Sequence, residues 1–314
     1  MERSRKRKLQ PPKPSPAKSE IVEKKDNAAS ESMNEPYPTH PRPSPEECRA
    51  VRDDLLVLNG FPPEFAKYRS KKWKNNPTSS PDAAGSSPSP PSPSLSLPSV
   101  KSEPREDGED ETETVLDGLI SILLSQNTTD ANSTRAFASL KRAFPTWEDV
   151  HGAESKCIEN AIKCGGLAGR KASCIKNLLK ALLEKNGKIC LEYLRDMSVD
   201  EIKAELCRYK GIGPKTVACV LMFHLQQDDF PVDTHVFRIT KTMGWVPVQA
   251  DREKAYLHLN KRIPNELKFD LNCLFVSHGK LCHMCGKKGL LNQQRTSCDQ
   301  PCPLSKYYCS TDFK

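Results

Sequence analysis

The sequence predicts an all-α fold, with a helical region that begins near residue 114 and a long polar part before it. From there on, apolar residues recur three or four positions apart in segment after segment. Hardly any stretch shows the alternation of β-branched and polar residues that strands require. The connections are short and carry Gly, Pro, Asp or Asn, as in compact helical arrays.

The part before the helical region divides into three pieces. Residues 1–40 contain few large apolar side chains, so we expect a disordered basic tail. Residues 41–70 form a short helical segment, which starts at the capping sequence after Ser44, ends near Asn59 and packs on the C-terminal lobe. Residues 71–113 are rich in Pro and Ser and end in acidic residues, which predicts a flexible linker.

Two helical domains follow, over 114–227 and 228–314, and the second ends in a Cys-rich loop. The predicted helices are Val115–Leu124, Asn132–Ala143, Ser155–Ile162, Lys171–Leu183, Val199–Cys207, Lys215–Leu225, Thr234–Met243, Arg252–Asn260 and Leu267–Ser277.

Composition narrows the possible function classes. The net charge of the 314 residues is +8, which suits a partner that carries phosphates. No apolar run approaches the roughly 20 residues of a membrane span. The charged first ten residues do not resemble a secretory signal, so the 13 cysteines are expected to be reduced or metal-bound. The basic run Arg3 to Lys8 is either a nuclear import signal or a solvated tail.

A glycine-containing turn precedes the apolar helix that starts near Lys215. Gly211 and Gly213 allow positive φ and close approach of a ligand to the backbone. Pro214 suits the first helical position. The free N–H groups that follow, including that of Thr216, attract an anion such as a DNA phosphate. A tight helix–helix connection without a ligand remains an alternative.

Lys215 is the candidate nucleophile, although a solvated surface lysine is the plainer interpretation. An amine attacks only in its neutral form, which the positive end of a helix dipole and partial burial both favour. Attack on a sugar C1′ would give a Schiff base. Eighteen positions later, Asp233 begins the next helix, either as a simple N-cap or as a carboxylate that faces the same cavity.

These two segments, GIGPKT at Gly211–Thr216 and PVDTHVFR at Pro231–Arg238, resemble the endonuclease III branch of the helix-hairpin-helix, Gly/Pro-rich loop and aspartate (HhH-GPD) glycosylases. The resemblance extends to LLSQNTTD at Leu123–Asp130 and to CGGLAGRKA at Cys164–Ala172. It covers about Val115 to Leu281, and the helix after Ser44 corresponds to the family's first helix.

The resemblance implies a two-lobed helical fold with a DNA-binding cleft between the lobes, and a monomer acting on double-stranded DNA in the nucleus or an organelle. It implies base-excision repair by a bifunctional glycosylase and lyase, with Lys215 as nucleophile and Asp233 as its carboxylate partner. Asn127, or alternatively Gln126, and Leu167 would fill the gap left by a flipped nucleotide. An oxidised pyrimidine is the first expected substrate. The Ser-Gln-Asn loop resembles DEMETER-type demethylating glycosylases, which makes 5-methylcytosine the second.

The C-terminal cysteines fall where many family members hold a 4Fe-4S cluster, but their spacing differs from the family's. The candidate ligands are Cys285, Cys298, Cys302 and Cys309, with Cys282 as the alternative to Cys285. An iron–sulfur cluster, structural zinc and no metal all stay open at this stage. Neither metal would be needed for the chemistry.

Two other classes of function compete with an enzyme. One is a DNA-binding module that uses the hairpin without catalysis, and the other is a metal-stabilised scaffold whose Pro-rich region recruits partners. Lys215 and Asp233 at the family's separation argue against the first.

Overall fold

The computed structural model describes residues 35–69, 113–286 and 302–308, and all the regular elements in these ranges are helices. The α-helices are α1 Pro45–Asn59, α2 Val115–Ser125, α3 Asp130–Ala143, α4 Trp147–Gly152, α5 Ser155–Ala161, α6 Ala168–Asn186, α7 Val199–Leu206, α8 Pro214–Phe223, α9 Thr234–Thr242, α10 Arg252–Arg262 and α11 Asn265–Leu281. Four 3₁₀ turns also lie in these ranges, Pro63–Phe65, Lys163–Gly165, Glu192–Asp196 and Pro303–Tyr307, and residues 66–69 are helical as well.

The predicted all-α fold is confirmed. Every predicted helix is present with ends shifted by at most four residues, but α4 was missed. This helix has only six residues, too few for a helical repeat to show. It is held by a capping box in which the side chains of Thr146 and Asp149 bond each other's backbone N–H groups. The predicted cap of α1 is confirmed, since the Ser44 side chain accepts a hydrogen bond from the N–H of Glu47.

A first hydrophobic core lies within residues 115–225. Its members come from α2 to α8, and the largest fully buried side chains among them are those of Leu116, Leu119, Ile120, Leu124, Leu140, Ile158, Ile162 and Ile175. The α2 helix is apolar on nearly all sides and contacts α3, α6 and α8. It therefore forms the centre of this core, and its C-terminal end is fixed from several directions.

A second core combines the N-terminal helix with the C-terminal part of the chain. Cys48, Val51 and Leu55 of α1 pack with residues of α9, α10 and α11. Trp245 is fully buried there, and its indole N–H donates to Glu47 of α1 at 2.8 Å. The N-terminal helix thus packs on residues of the C-terminal part of the chain, while the division of the chain into domains stays a prediction.

The connection from α8 to α9 joins the two cores. It runs through residues 224–233, and buried Phe230 and Val232 belong to the second core. The side chain of Asn272 in α11 donates to the carbonyl of Pro231 at 2.7 Å, which fixes the chain just before α9. The start of α9 is thereby held relative to α11. None of the helices in the described ranges is long and apolar enough to span a membrane.

Candidate functional site

The turn between α7 and α8 has the tight geometry that its two glycines suggested, but only one of them adopts a positive φ. Gly211 has φ +95°, and a Cβ there would lie 2.5 Å from Sγ of Cys174. Gly213 has φ −102° and is the N-cap of α8. Pro214 occupies the first turn, as predicted. The first turn of α8 therefore presents free backbone N–H groups beside a residue that only glycine can occupy.

A buried carboxylate stabilises the segments that lead into this hairpin. Glu205 in α7 accepts hydrogen bonds from the hydroxyls of Tyr193 at 2.9 Å and Tyr209 at 3.0 Å, and from the ammonium of Lys185 at 2.6 Å. Burial alone would raise the pKa of Glu205, but these three donors outweigh it and lower the pKa. The network connects the end of α6, the turn before α7 and the residue that leads into the hairpin.

Lys215 lies in the first turn of α8 and its side chain is exposed. The prediction of partial burial is wrong for the protein without DNA, because the side chain leaves the helix on its open side. Of the two features expected to activate this lysine, its position at the N-terminus of α8 is present and its partial burial is not.

Asp233 is the N-cap of α9, which is the simpler of the two roles predicted for it. Its Oδ1 accepts hydrogen bonds from the N–H groups of His235 and Val236, both at 2.8 Å. Capping and catalysis are compatible here, since both bonds go to one carboxylate oxygen. The cap holds the carboxylate half-buried and in a fixed orientation.

The buried thiol of Cys219 connects the two candidate catalytic residues electrostatically. It lies in α8, one turn after Lys215, and is 9% exposed. Burial raises the pKa of Cys219 to about 11; the positive charge of Lys215 opposes this rise, and the negative charges of Asp233 and Asp229 add to it. The ammonium and the carboxylate therefore both lie within electrostatic range of one buried group.

Two loops flank the hairpin, and each contains a residue predicted to enter DNA. Asn127 has φ +53° and Leu167 has φ +50°, a left-handed conformation that is rare for residues with a side chain. Leu167 is 53% exposed, which rules out the interpretation as a core leucine. Gln126 instead donates from its side chain to the hydroxyl of Thr216 at 3.2 Å. The first loop is thus joined to the residue that follows Lys215.

A buried lysine joins these two loops. Lys171 is 5% exposed, and its ammonium donates to the carbonyls of Leu124 at 2.7 Å and Gly165 at 2.9 Å. Burial lowers its pKa. No carboxylate in the described ranges forms an ion pair with it. The cavity beside it is lined by Leu123, Gln126, Asn127, Leu167, Arg170, Lys171, Cys174 and Gly211.

Sequence reasoning missed Lys171 as a member of this site. The residue belongs to the motif that begins at Cys164. A usable signal was its helical spacing, which places Lys171 on the same face of α6 as the apolar residues Ala172 and Ile175.

At the C-terminal end of α11, one histidine and three cysteines form a group that could hold a metal ion. The donor atoms of His278, Cys282, Cys285 and Cys302 all lie within 4.8 Å of one another. Cys282 and Cys285 are both members of this group, although only one of them was predicted as a ligand. Cys298 and Cys309 lie outside the described residues. His278 was missed, although its position four residues before Cys282 on a helix was a usable signal.

Comparisons with protein families, other sequences and solved structures all match this chain to proteins of DNA repair. The HhH-GPD model, described as a superfamily of base excision DNA repair proteins, matches residues 120–265. A protein of Arabidopsis thaliana, named as a putative DNA glycosylase, is 56% identical over 274 residues, which are 87% of this chain and 88% of that protein. The DNA glycosylase/AP lyase ROS1 of Arabidopsis thaliana is 38% identical over 118 residues, which are 38% of this chain and 8% of that protein. A solved endonuclease III bound non-covalently to DNA has a TM-score of 0.51 at 25% identity, over 62% of this chain and 83% of that structure.

Proposed function

The chain belongs to the HhH-GPD superfamily of base excision DNA repair proteins, and from this premise we propose that it is a DNA glycosylase with an associated lyase activity. One observation carries the proposal: Lys215 is exposed in the first turn of α8, directly after the hairpin, and the carboxylate of Asp233 is held in a fixed orientation as the N-cap of α9. An amine and a carboxylate held in this way suit attack on a sugar carbon.

Double-stranded DNA is the proposed partner, bound across the surface formed by the hairpin and the two flanking loops. A phosphate accepts hydrogen bonds from the free N–H groups at the start of α8, including that of Thr216. Gly211 and Gly213 allow this approach. Leu167 and Asn127 enter the duplex and occupy the space of the flipped nucleotide, which offsets its lost stacking.

The chemistry begins when bound DNA covers Lys215. Only the neutral amine of Lys215 has the free electron pair that the attack needs. The nitrogen attacks C1′, the bond from C1′ to the base breaks, and the base leaves with the electron pair. The carboxylate of Asp233 stabilises the positive charge that develops on the sugar and helps to take up the proton that the attacking amine loses.

The lyase step follows from the covalent bond. Opening of the sugar gives a Schiff base between Lys215 and C1′. Loss of a proton from C2′ then breaks the bond between C3′ and its phosphate oxygen, which nicks the strand. Water hydrolyses the Schiff base and frees the enzyme. These steps need no metal ion.

An oxidised pyrimidine is the proposed substrate, and 5-methylcytosine is the second candidate. The second candidate is supported by the Ser-Gln-Asn loop at Ser125–Asn127 and by the ROS1 match over 118 residues. We further propose that the protein acts as a monomer in the nucleus. The basic run Arg3 to Lys8, which motivates the nuclear location, lies outside the described residues.

Borohydride trapping tests the proposal. The protein is incubated with duplexes that contain an abasic site, thymine glycol or 5-methylcytosine, and borohydride reduces any Schiff base to a stable adduct. We expect an adduct on the abasic duplex and on one modified base, which names the substrate. Lys215→Gln should abolish the adduct, and Asp233→Asn should reduce its rate. Intact DNA binding with no adduct on any duplex would favour the non-catalytic DNA-binding module instead.

A further inference from the structure

The His–Cys group at the end of α11 is compact and largely buried. His278, Cys285 and Cys302 are buried, and Cys282 is half-buried. His278 and Cys282 lie one helical turn apart, where the N–H of Cys282 donates to the carbonyl of His278 at 2.8 Å. Cys302 comes from the start of the last 3₁₀ turn. Four ligand atoms from two distant parts of the chain therefore converge.

Two of the distances between donor atoms are close to those around a single tetrahedral ion. Sγ of Cys285 lies 3.7 Å from Sγ of Cys302, and Nε2 of His278 lies 3.4 Å from the same sulfur. Zinc bonded to sulfur at 2.3 Å and to nitrogen at 2.0–2.1 Å would separate two sulfurs by about 3.8 Å, and a sulfur and a nitrogen by about 3.6 Å. The group needs little rearrangement to surround one ion.

A four-iron cluster does not fit these residues. Its four ligands are thiolates bound to different irons, so the width of the cluster separates them. Here every donor atom lies within 4.8 Å of the others, and one of the four is an imidazole. The iron–sulfur cluster, one of the alternatives that the sequence left open, is thus inconsistent with these four donors.

The backbone between Cys282 and Cys285 also has the form of a zinc-binding turn. Two residues separate the cysteines, a spacing typical of structural zinc sites. The N–H of Gly286 donates to the carbonyl of Cys282 at 2.8 Å, and a Cβ at this glycine would lie 2.8 Å from the same oxygen. Only glycine closes the turn without a collision.

We propose that His278, Cys282, Cys285 and Cys302 bind one zinc ion in a structural site. Three thiolates and one imidazole fill a tetrahedral shell completely, so no position remains for water or substrate. This proposal does not depend on the glycosylase chemistry.

The position of the site indicates what the zinc would stabilise. It joins α11 to the segment 302–308, which in turn contacts α1, because the Tyr307 hydroxyl donates to Asp54 at 2.5 Å. Arg238 of α9 donates to the carbonyl of Cys285. Zinc would therefore hold α1, α9 and α11 together, and α9 is the helix that Asp233 caps.

Metal analysis of the full chain is the first test. The protein is produced in medium that contains both zinc and iron and is purified without chelators. We expect one zinc per chain and no acid-labile sulfide. Removal of the zinc should lower the melting temperature, and added zinc should restore it, because a metal that binds only the folded state stabilises it. Iron with acid-labile sulfide, or neither metal, would overturn the proposal.

Substitutions test the ligand set. His278→Ala and Cys302→Ser should lose the zinc, whereas His278→Cys should keep it, because four thiolates also suit zinc. This last variant shows that the position itself tolerates change. Cys298→Ser and Cys309→Ser are the matched controls and should retain one zinc. Loss of zinc from Cys298→Ser together with its retention in His278→Ala would refute the set proposed here.

Discussion

Lys171→Met tests whether the buried lysine holds in place the two loops that contain Asn127 and Leu167. The substitution keeps the apolar stem and removes the ammonium that bonds the carbonyls of Leu124 and Gly165. A buried carbonyl without a donor costs about 1–3 kcal/mol, so two of them cost about 2–6 kcal/mol. Removal of a desolvated charge offsets part of this cost. We expect the free energy of unfolding to fall by about 2 kcal/mol.

The substitution should also weaken DNA binding, which lower stability alone would not do while the protein stays folded. Both loops lose their common anchor, and we expect affinity for a duplex with an uncleavable abasic analogue to fall about tenfold, which equals about 1.4 kcal/mol. Urea unfolding gives the stability, with an unchanged slope as the check that both states are comparable. Fluorescence anisotropy gives the affinity.

Lys176→Met is the matched control. Lys176 lies on the same helix and donates to the carbonyl of Ala153, away from the cleft. It should lose stability and retain affinity for DNA. The argument about Lys171 would be refuted if its variant unfolded within about 0.5 kcal/mol of the wild type, or if both variants lost affinity equally.

Three further predictions concern the hairpin and its surroundings. Gly211→Ala should destabilise the protein by about 2 kcal/mol and weaken DNA binding, because of the positive φ and the nearby Cys174 sulfur. Gly213→Ala is the control, because the space at its Cβ is open, and it should unfold like the wild type. Equal losses of stability in the two variants would contradict the claim that only position 211 requires glycine. Leu167→Ala should change the free energy of unfolding in urea by less than about 0.5 kcal/mol and reduce base excision from duplex DNA about tenfold, with a smaller effect on single-stranded DNA. An equal effect on both substrates would show that Leu167 does not fill the space of a flipped nucleotide. Glu205→Gln should cost about 2 kcal/mol above pH 5. The pKa of Glu205 is lowered in the folded state, so this stabilisation is present above the unfolded pKa of about 4.3 and is lost as the pH falls through the folded value. The unfolding free energies of the wild type and the variant should therefore converge in acid. A difference between them that stays constant with pH would contradict this.

The long helices could be predicted from the sequence because each carries several turns of apolar repeat. The helix α2 is an example, with seven of its eleven residues buried. The six residues of α4 give no such repeat, and only the Thr146 capping box marks its start. Helix ends were less certain: α6 begins after Leu167 rather than at Lys171, and no side-chain cap marks its start.

The candidate site was predictable only where a motif names a residue. The hairpin and the loop at Asp233 could be read along the chain. The left-handed backbone of Asn127 and Leu167, the inward direction of Lys171 and the exposure of Lys215 depend on how α2, α6 and α8 pack. His278 is buried in α11, and its contact with Cys302 depends on where the segment 302–308 packs.

The most direct test of the account is to identify the amino acid that bonds to DNA. The borohydride-reduced adduct on an abasic duplex is digested with protease and nuclease, and mass spectrometry locates the modified peptide. We predict that the sugar remnant lies on Nζ of Lys215. An adduct on Lys171, Lys210 or the N-terminal amine, formed at an undiminished rate in Lys215→Gln, would contradict the assignment of the nucleophile.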